Sequence, residues 1–216
     1  AVSRSSTGGH AYLATLKNSS VAPVVTTANN QVLVIKTGTL ENIVARKGVT
    51  VITGALMISK FGNFTITDDD EVVFQVTLAG TGVTTANDQA LCRWTEAGGI
   101  ELLAREGSAA PGTGANYLAF LAFSVSPSGN IVLHSTLSGT GASALLRDTG
   151  SGLALLVRNG SLVPHGTTQR AVKAMSIHTG YGDGGGAGGM GAAINDNGEV
   201  FTVLDLSGVY QAKVFP

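Results

Sequence analysis

The sequence is short of charge. Asp, Glu, Lys and Arg together make up 12% of its 216 residues, and the net charge is −1. That is about half the usual charged share. Nucleic acid is therefore not an expected partner, because phosphate binding needs a clustered surplus of Lys and Arg. An anionic membrane surface is excluded for the same reason. Membrane insertion by a helix is not expected either. The chain is 44% hydrophobic with a mean hydropathy of +0.27, yet no run reaches the roughly 18 apolar residues a spanning helix needs.

Cysteine is nearly missing. The single Cys92 permits no intrachain disulfide and no thiolate metal site. It sits in the strand-like run Ala90–Trp94 and reads as a buried small hydrophobe. The four histidines, His10, His134, His165 and His178, lack the spacing of a metal site. No Gly-x-Ser-x-Gly elbow presents a nucleophilic serine. The sequence therefore shows no catalytic constellation, reads as non-enzymatic, and implies no cofactor.

What the chain has in quantity is glycine, 30 residues, and internal repetition. Phe64–Leu78, Phe123–Leu137 and Ala192–Leu206 are copies of one pattern, a short strand, a polar turn and a second strand. Val2–Leu16 is a fourth. Ile43–Gly48 matches Leu102–Gly107 and Leu155–Gly160, and Val25–Leu33 matches Val83–Leu91. The copies recur about every 53 to 69 residues, near the length of long propeller repeats. Their runs are rich in β-branched and aromatic residues and bounded by Gly, Asn and Asp. In Val72–Leu78 both alternating sets, Val72, Phe74, Val76 and Leu78 on one side and Val73, Gln75 and Thr77 on the other, are uncharged. That suits a sheet covered on both faces. Gly interrupts every stretch long enough for a helix.

The predicted fold is all-β and β-propeller-like, a single repeat domain over 1–216 with four repeats of about four antiparallel strands. Repeat 1 covers about 1–48, repeat 2 about 60–107, repeat 3 about 118–160 and repeat 4 about 190–216. The last blade lacks its outer strand, and an open edge of that kind invites pairing.

Leu102–Gly114, Thr136–Gly141, Val83–Leu91 and Ile194–Phe201 resemble a family of bacterial secreted tandem-repeat proteins of the planctomycete and verrucomicrobial type, predicted propellers of unknown function. The resemblance implies export and a propeller-like fold, and it carries over no catalytic residues. The opening Ala1–Ser6 suits a mature N-terminus after signal removal, so the expected location is secreted, extracellular or periplasmic.

Candidate binding residues lie in loops. Asn29 and Asn30 pair with Asn87 and Asp88 at equivalent turns, where side-chain-to-backbone bonds are the simplest role. The Gly-rich stretch after repeat 3, with His178, Tyr181 and Asp183, is where the copies diverge most, and divergence on a rigid scaffold is where function tends to sit. Asp68, Asp69 and Asp70 form a weak Ca²⁺ candidate, since the turn offers fewer ligands than the ion wants; otherwise no metal site is expected. Arg46, Arg105 and Arg158 recur two residues before Gly and are expected to bind backbone carbonyls or a carboxylate. The functional expectation is a secreted binding or assembly module working through protein–protein contacts, with a homo-oligomer through the open blade edge as one form. A carbohydrate-binding or glycan-processing propeller is the alternative, for which a solvent-facing Trp94 or Tyr181 beside two carboxylates would be the sign. A subunit of an extracellular fibre or sheath is a further one.

Overall fold

The computed structural model describes residues 1–139, 142–178 and 192–216, and every regular element among them is a β-strand. The first sheet runs β1 (Val2–Arg4), β2 (His10–Thr15), β3 (Gln31–Thr37) and β4 (Leu40–Arg46) in sequence order. The second adds one strand: β5 (Val51–Thr53), β6 (Leu56–Ile66), β7 (Val72–Ala79), β8 (Gln89–Thr95) and β9 (Gly99–Arg105). The third copies it with β10 (Ala109–Ala110), β11 (Ala115–Val125), β12 (Ile131–Leu137), β13 (Ser143–Asp148) and β14 (Ala154–Arg158). A hairpin of β15 (Leu162–His165) and β16 (Thr168–Ala171) precedes a last sheet of β17 (Ala174–Ile177), β18 (Val200–Asp205) and β19 (Tyr210–Phe215). All neighbours are antiparallel, most of them joined by short turns, while longer loops connect β2 to β3, β7 to β8 and β17 to β18.

The second and third sheets thus have five strands, not the expected four. The cause is length. β6 and β11 each run 11 residues, and their first residues, Leu56 and Met57 in β6 and Ala115 and Asn116 in β11, pair with the short β5 and β10 on the edge away from the hairpin partner. β6 and β11 also bend through register shifts at Phe61/Phe64 and Phe120/Ala122. In the last sheet the matching point is the Gly-rich stretch. β17 pairs with β18 ahead of it, and Ile194 bridges Val200 after it. The sheet therefore begins before the insertion.

Among these residues the chain divides into two compact units, Ala1–Arg105 and the remainder from Glu106 onward. In each unit an apolar cluster joins one sheet to the next by the same rule. In the first, Ala11, Leu33 and Ile35 of the first sheet pack with Val72, Phe74 and Val76 of the second. In the other, Val132, Leu145 and Val157 pack with Val200, Leu204 and Leu206. Ala11 and Val132 hold the same place in their repeats, as do Val72 and Val200.

The hairpin turns are four versions of one structure. Ser5, Thr67, Ser126 and Asn195 open them. Each backbone N–H donates to the carbonyl four residues on, at 2.9, 2.9, 2.8 and 3.1 Å. Each side-chain oxygen accepts the N–H of that same residue, from Gly9, Glu71, Asn130 and Glu199, at 2.8, 3.1, 3.1 and 2.9 Å. The fourth residue must be left-handed, and three of the turns supply Gly8, Gly129 and Gly198. The exception is Asp70 at φ 60°.

His134, inside β12, is buried, its Nε2 has no hydrogen-bond partner, and burial lowers its pKa below 6.5. The folded state thus resists protonation that the unfolded chain accepts. Stability from this site is whole above about pH 6.5 and is lost as pH falls below that. His134→Leu should remove that part of the acid-side loss. Urea unfolding midpoints of the two proteins at pH 5 and pH 7.5 will show it as a smaller drop in the variant.

Candidate functional site

Adjacent turns lock together through a carboxylate. In the first unit Asp68 accepts the Ser6 N–H at 2.7 Å, takes the Ser6 hydroxyl on its other oxygen, and offers its carbonyl to Thr7 at 3.2 Å. In the other unit Asp196, at the same turn position, accepts the Ser128 N–H at 2.8 Å, and Asn130 donates to the Asn195 and Asp196 carbonyls. Those donors hold the Asp196 carboxyl below the usual carboxylate range. A buried serine repeats the lock lower down. Ser3 accepts from the Ile66 N–H at 3.2 Å, and Ser124 accepts from the Ala193 N–H at 2.9 Å.

The lock in the first unit leaves a cleft beside it. Ile35, Thr37, Leu40 and Asn42 form the wall from the first sheet. Asp69, Asp70, Trp94 and Glu96 form the wall from the second, around a cavity of about 230 Å³. The geometry follows from the turns. Asp69 and Asp70 stand at the β6–β7 tip, while Trp94 and Glu96 stand at the β8–β9 tip, and Val72↔Trp94 pairing sets the two tips side by side. Trp94 is half-buried, with part of its ring on the cavity.

Three carboxylates share this small space. Burial raises the Asp70 carboxyl above its usual range, the charges of Asp69, Glu96 and Asp68 add to the effect, and Thr37 opposes it. Asp70 Oδ1 is buried with no hydrogen-bond partner. It lies against Gly9, where a methyl group would sit 2.5 Å from it. Ion pairs among the described residues join Lys36 with Glu41 and Arg93 with Glu71, and neither of these two involves Asp69, Asp70 or Glu96.

The residues singled out from sequence are dispersed. Asn29 accepts from Thr26 N–H at 2.8 Å and donates to the Val24 carbonyl; Asn87 accepts from Thr84 N–H at 2.8 Å and donates to the Gly82 carbonyl. Both amides are thus spent inside their own loops. The Asn30 and Asp88 carbonyls accept from Leu16 and Leu78 at 2.6 Å. Arg46 and Arg105 donate to the Asn29 and Asn87 carbonyls at 2.8 and 2.9 Å, and Arg158 donates to the Thr113 carbonyl. The arginines therefore fasten loops of their own sheets. His178 lines a separate cavity on the last sheet. Tyr181 and Asp183 lie outside the described residues. Asp68, Asp69 and Asp70 split between the lock and the cleft, and no three His, Cys, Asp or Glu side chains among the described residues are arranged to hold a metal ion. Cys92 is fully buried and its thiol is pushed up to about 12 by burial, which leaves it inert.

Gly9→Ala should destabilise the protein by about 1–3 kcal/mol, the range for forcing extra atoms into a packed site. Adding Asp70→Gly should recover part of that, because it removes the nearest obstructing atom and the left-handed non-Gly residue together. Denaturant unfolding of both single variants and the double variant measures the coupling.

No curated protein matches the chain. A family model described as a family of unknown function (DUF7453) matches residues 3–207. That span holds all four hairpin turns, both locks and the Trp94 cleft, and the chain belongs to this family, DUF7453.

Proposed function

We propose that the protein is an exported, non-enzymatic binding module of propeller-like architecture, and that its cleft seats a basic side chain of a partner protein. The observation that carries this is the cleft itself, an aromatic ring beside three carboxylates, none of which is in the ion pairs Lys36–Glu41 or Arg93–Glu71 seen among the described residues. Like charges held together in a partly buried space raise one another's pKa and are relieved by a cation. A Trp face adds cation–π attraction for an ammonium or guanidinium group. At about 230 Å³ the cavity is smaller than the roughly 300–1,000 Å³ of small-molecule sites, and it fits the end of one side chain.

The finer architectural reading rests on the four equivalent turns and on sheets with apolar residues on both faces, both of which suit four blades around an axis. Export, to the cell exterior or periplasm, rests on the resemblance to secreted planctomycete and verrucomicrobial repeat proteins. The glycan alternative gains from the same cleft, because Trp94 does stand beside carboxylates. Three carboxylates together favour a cation over a neutral sugar.

Trp94 is the single tryptophan, so its emission reports on the cleft alone. Titration with blocked lysine and arginine amides should give a saturable change that weakens with added salt. Asp69→Asn combined with Glu96→Gln should weaken it at least tenfold, worth about 1.4 kcal/mol. A saturable response to neutral oligosaccharides with none to the basic amides would replace this reading with the glycan one.

A further inference from the structure

We infer that the second sheet holds a separate binding cavity for a neutral sugar ring, apart from the Trp94 cleft and independent of what that cleft binds. The cavity measures about 360 Å³ and is walled by residues of β6, β7 and β8 and by Asp88 just ahead of β8. That is within the size range of small-molecule sites. Strand register gathers its polar side chains. Lys60 pairs with Thr77, and Thr77 pairs with Gln89. Paired residues share a face of the sheet, and Gln75, two places before Thr77, shares it with them. Val72, Phe74 and Val76 alternate with these and pack toward the first sheet.

The wall on the β6 side is made by a bulge. The register shift between Phe61 and Phe64 sets both Gly62 and Asn63 opposite Gln75. A Cβ on Gly62 would sit 3.1 Å from the Gln75 carbonyl oxygen and 3.3 Å from its Cβ, so glycine is what keeps the backbone close and the space above it open. Gln75 Nε2 stands 3.5 Å from Gln89 Oε1, which places two amides side by side on the same wall.

The third sheet shows what these strands need without a ligand. It has the same bulge, with Phe120 and Thr136 where the second sheet has Phe61 and Thr77. The Leu78 and Leu137 N–H groups donate to the Asp88 and Ala142 carbonyls at 2.6 and 2.8 Å, which fixes the match on the far side. Yet Lys60, Asn63 and Asp88 are replaced there by Ala119, Ala122 and Ala142. Leu121 stands for Gly62, His134 for Gln75 and Ser143 for Gln89. The place of Gln75 is Leu13 in the first repeat and Val203 in the last. Pairing and stacking therefore proceed without the amides and the charges, and the second sheet alone brings them together.

The lining selects the ligand class. Three amides and a hydroxyl each offer a donor, an acceptor or both, and a sugar hydroxyl likewise donates and accepts. Lys60 and Asp88 carry opposite charges, so an anion drawn to one meets repulsion from the other, and so does a cation. A neutral ring rich in hydroxyls satisfies the amides without that conflict.

The test is nuclear magnetic resonance on the full chain labelled with ¹⁵N, which resolves side-chain amides. D-glucose, D-galactose, D-mannose and N-acetyl-D-glucosamine are each added to about 100 mM, about a hundred times a millimolar Kd, with glycine as a zwitterionic control. At least one sugar should shift the Asn63, Gln75 and Gln89 amide signals saturably. Trp94 emission should stay constant, because Trp94 pairs with Val72 at the other end of β7, so this result stands or falls apart from binding of basic amides at the cleft. Gln75→Leu and Gly62→Leu place in the second sheet the residues that other repeats carry, and the spread of the backbone signals checks that each variant is folded. Each should weaken the sugar response about tenfold, the scale of one lost hydrogen-bonding group. Absence of a saturable shift with all four sugars would overturn the inference, as would unchanged affinity in folded Gln75→Leu. A response to glycine with none to the sugars would overturn it too, and would make the opposed charges of Lys60 and Asp88 the recognition element.

Discussion

A sheet with apolar residues on both faces cannot stand alone, and most of this fold follows from that. Val72, Val73 and Phe74 are consecutive and all fully buried, as are Ile131, Val132 and Leu133. Successive residues of a strand point to opposite sides, so each run needs cover on two sides at once. At roughly 25 cal/mol per Å² of apolar surface, leaving either side wet would cost more than any turn or loop returns. Low charge belongs to the same constraint, since a face that receives another sheet has no room for an unpaired ion. The consequence is that the apolar face of one sheet packs on that of the next, Ala11, Leu33 and Ile35 on Val72, Phe74 and Val76 in the first unit and Val132, Leu145 and Val157 on Val200 and Leu204 in the other.

Apolar packing sets that sheets stack, but it is nearly indifferent to sliding. The turns supply the register. Asp68 fixes one turn on Ser6, and Asp196 fixes another on Ser128. The two locks differ by one residue, and the cause is Pro127, which stands where Ser6 stands and has no N–H to donate. Asp196 takes the next donor along. The buried serines move in step. Ser3 reaches the Ile66 N–H, whereas Ser124 reaches Ala193, one place earlier than the residue matching Ile66. A single missing hydrogen thus shifts a whole sheet contact by one residue, and both ends of the contact agree on the shift.

The repeating parts of this structure were legible in the sequence because they are encoded locally. The strand, polar turn and strand of Phe64–Leu78 read the same way in all copies, and the turn chemistry at Thr67, Ser126 and Asn195 needs only neighbours in the chain. The extra strands β5 and β10 were not legible, since they are two or three residues long and pair only with the first residues of β6 and β11. Nor was the start of the last sheet, where β17 precedes the Gly-rich insertion and its pairing with β18 is long-range. The cleft was missed for a different reason. Trp94 and Asp70 are 24 positions apart, on separate hairpins, and no spacing rule links two turn tips that meet through the pairing of β7 with β8 across a nine-residue loop. The available signal was Asp70 itself, the non-Gly residue at a place that calls for Gly in every other copy.

That departure ties the architecture to the chemistry. A repeat scaffold has its stability supplied by what its copies share, and it can carry a ligand only where one copy differs. Asp70 gives up the easy left-handed geometry of Gly8, Gly129 and Gly198, buries an oxygen without a partner, and accepts repulsion from Asp69 and Glu96. Each of these is unfavourable for folding, and none is needed for the turn, which closes through the Thr67–Glu71 bonds and the Asp70 backbone N–H and uses no Asp70 side-chain atom. The same turn meanwhile spends Asp68 on locking the sheets, so one five-residue tip holds the scaffold rigid with one carboxylate and presents two more to the space beside Trp94. Strain kept at one copy of a repeated element, against three relaxed versions in the same chain, is what motivates the proposal that a basic side chain seats there.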